Sequence, residues 1–317
     1  METDFINAKK LIEQARKILL SMHERMDGDD GGSLLAFTHF LESQDKQVTA
    51  VIKYGVPEAL KFLPGSGKIQ DSVPQPNNYD LLITFGCSNK ERSGLDEIVS
   101  LDIPSINIDH HPDNTFFGKV NLVDKTKSSV AELVYDFFNF CQWPITQDIA
   151  ACLLTGIITD TGSFMHANTQ SSTLMAAADL MHKGARTNKI TRHTFKNKKP
   201  QVLKAWARAM ENSRFDPSSR IISAAITEED LLDLGELPKS AFEGFVETLN
   251  TMPEARFALF IRQDGAVIKG SLRSDTHKDV DVSKIARLFG GGGHKLAAGF
   301  SLNGKISRKL SGELQIS

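Results

Sequence analysis

Short apolar runs that each close on polar residues, with helical patterns between them, constrain this chain more than any other feature. Runs at 18–20, 48–54, 81–85 and 105–108 have strand length and are rich in Leu, Ile, Val and Phe. No hairpin signal separates them. Instead, apolar residues recur at helical spacing, as at Phe5, Ile6, Leu11, Ile12 and Ala15, and again over 33–41. Strands alternating with helices predict an α/β fold whose N-terminal domain is a mainly parallel sheet flanked by helices. Such sheets take ligands beyond the carboxyl ends of their strands, which is where the notable polar residues of this chain fall. Further helices are predicted over 145–157 and 171–183.

The texture changes after residue 188. Residues 189–214 are strongly basic, with Lys196, Lys198, Lys199 and Lys204, and are helical in their second half. They are read as a helical linker (189–215) between a domain over 1–188 and a smaller α/β domain over 216–317. Asp216-Pro217-Ser218-Ser219 is the opening turn of the smaller domain. Strands are expected at 220–226 and 256–263, then a hairpin turn at Gln263-Asp264-Gly265-Ala266 and a strand over 267–273. A helix over 282–289 leads into Gly290-Gly291-Gly292-Gly293-His294. The segment 203–210 is read either as part of the linker or as a homodimer contact.

With 317 residues, 40% hydrophobic and 24% charged, the chain has material for two cores. A net charge of −2 argues against binding long nucleic acid, where affinity comes from many basic contacts. No apolar run reaches the ~18 residues a membrane span needs, and without a basic flank before an apolar stretch near residue 1 a cleaved export signal is not expected. Cys87, Cys141 and Cys152 form neither a disulfide framework nor a zinc motif. The expectation is a cytoplasmic protein with a small, multiply charged substrate.

Four constellations carry chemistry. His23-Glu24-Arg25-Met26-Asp27-Gly28-Asp29 follows a strand; its imidazole and carboxylates suit manganese or a similar divalent ion, although a solvated acidic turn reads the same way. Asp109-His110-His111 also ends a strand, where one imidazole can ligate metal while the other meets a phosphate oxygen and the aspartate orients a ring. Thr159-Asp160-Thr161-Gly162 follows a helix expected to end at Leu153-Leu154-Thr155-Gly156; alone it equally suits a turn. Histidines and aspartates at successive element ends suggest a two-metal centre. In the last constellation, the glycine run before His294 can cradle an anion through backbone N–H groups, and Arg273 in Ser271-Leu272-Arg273-Ser274 can pair with the same anion.

These motifs, with Thr155–Gly162 in full and Ala297-Ala298-Gly299, occur in an order that resembles the DHH phosphoesterase superfamily, in its branch with a DHH-associated C-terminal domain. That branch includes nano-RNases (oligoribonucleases), phosphoadenosine-phosphate phosphatases and dinucleotide phosphodiesterases. The resemblance covers nearly the whole chain. It implies a hydrolase with two manganese ions, one on His23 and Asp27 and the other on Asp29, His110 and Asp160, with a metal-activated water attacking the phosphate. It places His111 on the scissile phosphate with Asp109 behind it. Arg273, Gly291, Gly292, Gly293 and His294 would hold the rest of a short nucleotide across a cleft. Ser128, Ser129 and Glu132 match a supporting segment.

One position departs from the pattern. The family carries a bridging aspartate at the end of the third strand, six residues before an arginine; here the arginine is Arg92 and the position is Gly86. Asp30-Gly31 also stands where a small apolar pair is usual. Three accounts are open: an inactivating change made to trap substrate, a natural nucleotide-binding pseudoenzyme with a regulatory role, or a carboxylate supplied from elsewhere. With His23 and Asp27 as its only ligands, the first ion is expected to bind weakly or not at all, leaving one ion, and a Gly86→Asp variant is expected to restore turnover.

Overall fold

The computed structural model describes residues 1–74, 78–196, 198–238, 240–308 and 314–316. The chain forms two units, Met1–Asn197 and Lys198–Ser317.

The first unit runs α1 (Glu2–Gln14), β1 (Lys17–Met22), α2 (Gly28–Ser43), β2 (Gln47–Val51), β3 (Leu81–Phe85), α3 (Asp96–Ser100), β4 (Ser105–Asp109), β5 (Val120–Val123), α4 (Val130–Cys141), α5 (Gln147–Asp160), α6 (Ser171–His182) and α7 (Thr187–Thr194). Its sheet has the order β2-β1-β3-β4-β5, and every pairing is parallel. The predicted parallel α/β architecture is therefore present. The strand runs are mostly apolar on both sides because both faces of the sheet are covered. In β1, Ile18, Leu20 and Met22 join the large core under α1, α2, α4 and α5, while Leu19 points to the other face with Leu82, Leu95 and Ile98.

Two helices are longer than their sequence pattern. α2 begins at Gly28 rather than near 33, with Asp27 as N-cap accepting from the Asp30 amide at 2.9 Å. α5 continues through Gly156 to Asp160, so Asp160 is its last residue and does not lie in a following turn. Glycines that read as breakers are here contact points between helices. A side chain at Gly32 would run into the Cys152 carbonyl oxygen of α5, and one at Gly156 would meet Ala131 Cβ at 2.5 Å. Losing the side chain lets the α2 and α5 backbones approach closely, and that packing outweighs the glycine penalty of about 1 kcal/mol in a helix.

The second unit runs α8 (Pro200–Glu211), β6 (Arg214–Asp216), β7 (Ile221–Ile226), α9 (Glu228–Leu234), α10 (Phe245–Leu249), β8 (Phe257–Asp264), β9 (Val267–Arg273), α11 (Val282–Leu288), β10 (Gly292–His294), β11 (Ala297–Asn303), β12 (Ile306–Arg308) and β13 (Leu314–Ile316). Its six-stranded sheet has the order β10-β11-β9-β8-β7-β6 and is antiparallel except for β7 beside β8. The hairpin expected at 263–266 is there, with Asp264 paired to Val267.

The segment read as a linker over 189–215 is not a separate piece. Ile190 of α7 belongs to the first core, whereas Val202, Ala205 and Ala209 of α8 pack with Phe245 and Phe260 in the second. A basic surface on an amphipathic helix hides this, because only every third or fourth residue faces the core.

Candidate metal centre

The centre is built where β1 and β4 end and where α2 begins and α5 finishes. His23 follows β1 directly; its Nε2 lies 2.8 Å from Asp30 Oδ2 and 3.2 Å from Asp27 Oδ2. Burial alone would lower the His23 imidazole, but hydrogen bonds to Asp27 and Asp30 outweigh it and raise its pKa to about 10. Asp29, in the first turn of α2, is buried and accepts from the amides of Val130 at 2.7 Å and Ala131 at 2.8 Å. Those amides open α4, where unpaired N–H groups favour an anion. Even so, burial and the carboxylates of Asp160, Asp30 and Asp27 push the Asp29 carboxyl well above its usual range.

His110 follows β4, with Nε2 3.9 Å from Asp160 Oδ2 and Nδ1 3.3 Å from the Lys127 carbonyl. Burial raises the Asp160 carboxyl to about 6, against the opposing pull of His110. Asp109 is fully buried. Its Oδ1 accepts from the backbone N–H groups of His110 and His111 and lies 2.7 Å from His111 Nδ1. Burial would lower the His111 imidazole, but Asp109 more than offsets that and raises it.

Among the described residues, donor atoms within 4.8 Å of one another form two sets: His23, Asp27 and Asp30, and Asp29, His110 and Asp160. All five residues expected to ligate metal are thus brought together, and Asp30 joins them. The residues present fit divalent cations. Imidazoles and carboxylates without a thiolate suit manganese or its neighbours, and Asp30 Oδ1 is buried with no hydrogen-bond partner, a polar orphan that a cation would satisfy. Asp30, which was not among the expected ligands, stands beside His23 and Asp27 in the first set. Its one sequence signal was a carboxylate at a site where the pattern has a small apolar residue.

No sequence motif marks Asn114. It donates to Asp109 Oδ2 at 2.6 Å and closes the support behind His111. Glu132, placed by the Ser-Ser-x-x-Glu segment, does not touch the donor sets by any hydrogen bond. It is buried and accepts from Ser128 Oγ at 2.6 Å, Ser172 Oγ at 2.8 Å and Thr173 Oγ1 at 2.8 Å, which tie the start of α4 to α6.

Two family models match the chain, the DHH family N-terminal domain over residues 17–157 and the DHHA1 domain over 233–311. The chain belongs to the DHH superfamily. It is similar to the bifunctional oligoribonuclease and PAP phosphatase NrnA of Thermus thermophilus, 29% identical over 90% of this chain and 84% of that protein. The Bacillus subtilis protein of the same name is 27% identical over 95% and 93%. A solved structure of an exopolyphosphatase-related protein from Bacteroides fragilis superposes with a TM-score of 0.88 at 27% identity, covering 95% of this chain and 91% of that one.

The DHHA1-containing unit holds the other expected residues. His294 of β10 pairs with Ala297 of β11, and Ala297 with Arg273 of β9, so Arg273 and His294 lie in one row across three strands and share a face of the sheet. Arg273 Nε donates to Glu247 Oε1 at 2.7 Å. The glycine run is not a free loop: Gly292–His294 is the edge strand. A side chain at Gly291 would collide with Gly299 O and Phe300, and one at Gly293, with φ +138°, would meet Ala297 O, whereas Gly292 faces open space.

Proposed function

We propose that this chain is a cytoplasmic manganese-dependent phosphoesterase that hydrolyses short oligoribonucleotides, linear dinucleotides or nucleoside 3′,5′-bisphosphate. The observation that carries the reading is the pair of histidine–carboxylate donor sets converging where β1 and β4 end. The oligoribonuclease and PAP phosphatase activities named for the Thermus and Bacillus relatives support the substrate class. No helix among the described residues is long and apolar enough to cross a membrane, and the three cysteines are free and buried, in keeping with a reducing compartment.

His23 and Asp27 would hold one ion, and Asp29, His110 and Asp160 would hold the other. Divalent ions there supply Lewis-acid stabilisation of charge building on phosphoryl oxygens. His111, held by Asp109, donates from its ring to a non-bridging oxygen of the scissile phosphate. Arg273 pairs with the remaining anionic end of the nucleotide, assisted by His294 and the backbone of Gly291, Gly292 and Gly293. One basic row and a net charge of −2 suit a short substrate, since long strands need many phosphate contacts.

The test is hydrolysis of an RNA dinucleotide and of adenosine 3′,5′-bisphosphate by the full chain with manganese or with chelator. Release of mononucleotide or phosphate only with manganese is the expected result. Binding of both ligands without turnover would make the chain a nucleotide-binding protein instead.

A further inference from the structure

The glycine at 86 and the aspartate at 30 occupy one piece of space. Strands β1 and β3 pair Met22 with Phe85, so His23 and Gly86 leave the sheet side by side. Gly86 is held there by its amide, which donates to the Ile108 carbonyl at 3.0 Å, and it takes a left-handed φ of +58°. A Cβ built on Gly86 falls inside the Asp30 carboxylate, overlapping Oδ2, Cγ and Oδ1. The Asp30 side chain is 3% exposed, with Oδ2 2.8 Å from His23. Its Oδ1 is buried and makes no hydrogen bond. A buried carboxylate oxygen facing neither water nor a donor is a strongly unfavourable arrangement, and a divalent cation relieves it.

We propose that Asp30 is a metal ligand, delivering from the first turn of α2 the carboxylate that position 86 lacks, and that position 86 is glycine to leave room for it. The inference rests on the two-metal reading above and changes its consequence. The first site has three donors and needs no repair. Gly86→Asp by itself does not restore a missing group; it drives a second carboxylate into occupied space beside the first.

The experiment measures manganese bound to the full chain by calorimetry and elemental analysis, without nucleotide, with circular dichroism melts as the folding control. The wild type is expected to bind two ions, and Asp30→Asn, nearly isosteric, one. Gly86→Asp is expected to bind no more tightly than wild type and to melt lower. The double variant D30A/G86D, which moves the carboxylate from helix to strand end, is expected to recover the second ion even if Asp30→Asn folds poorly. A wild type that binds fewer than two ions, a folded Asp30→Asn that keeps both at wild-type affinity, or a folded double variant still lacking one overturns the proposal. A wild type that binds two ions but cleaves no nucleotide refutes the phosphoesterase reading and leaves this one standing.

Discussion

Asp109 and His111 are joined by a 2.7 Å contact between Oδ1 and Nδ1, and Asp109 Oδ2 is capped by the Asn114 amide at 2.6 Å. With Nδ1 committed to the carboxylate, Nε2 is the ring's second polar atom, and the tautomer and ring angle are set before substrate arrives. The relationship depends on a fully buried acid at the last position of β4, where no water competes for it.

Asp109→Asn should therefore disable His111 without removing it. An amide oxygen can still accept from one neighbour, but it no longer raises the imidazole, so His111 returns toward an ordinary histidine. Turnover is expected to fall by about 10²-fold or more, with the alkaline limb of the kcat/KM profile, where His111 loses its proton, moved to lower pH and manganese stoichiometry unchanged. An Asp109→Asn enzyme with wild-type kcat across the pH range would dismiss the role.

Glu132 is a stability residue with a definite pH signature. Burial works against its charge, but hydrogen bonds from Ser128, Ser172 and Thr173 outweigh it and hold its carboxyl below the ordinary 4.5. A carboxyl lowered by folding contributes stability that is complete above the ordinary value and is lost as pH falls through the folded value. Glu132→Gln puts an NH2 group among donors and should cost about 2–3 kcal/mol at neutral pH. Urea midpoints at pH 7 and at progressively lower pH check both points: the variant should start lower and lose less in acid.

Gly32→Ala reverses the usual helix rule. Alanine ordinarily favours a helix over glycine by about 1 kcal/mol, but here its methyl meets the Cys152 carbonyl of α5. Overpacking of this kind should destabilise by about 1–3 kcal/mol. Because Asp29 rides on α2 and Asp160 on α5, the same change should weaken manganese binding. A thermal melt and a metal titration on one sample would expose the error if both stay at wild-type values.

Arg273→Ala should separate substrate grip from metal binding. Charge-assisted hydrogen bonds are worth about 1.5–3 kcal/mol each, so KM for a dinucleotide is expected to rise by about tenfold or more. Manganese stoichiometry should not change. A KM equal to wild type would remove Arg273 from the substrate site.

Much of the architecture was legible because its signals are local. Mostly apolar runs such as 81–85 mean a strand covered on both faces, and His23, His110 and Asp109 sit at or just beyond strand ends that the sequence marks by a change from apolar to polar residues. Helix limits were less legible. Gly28, Gly31, Gly32 and Gly156 carry the mark of turns, and only the partner helix shows that Gly32 and Gly156 serve close packing. The division between units was hidden in the same way, since the basic face of α8 says nothing of Val202, Ala205 and Ala209 on its other side.

By itself the order of residues along the chain determined the parallel sheet and the helices around it, because each depends on near neighbours in sequence, while His23, Asp27, Asp29, His110 and Asp160 were marked as candidate ligands by the resemblance their motifs carry. Tertiary structure alone decided what the gap at Gly86 means. Asp30 lies far earlier in the chain, and the two meet only because β1 and β3 are neighbours in register and α2 starts beside their ends. A side chain missing from one place and present in another is compensation only through space.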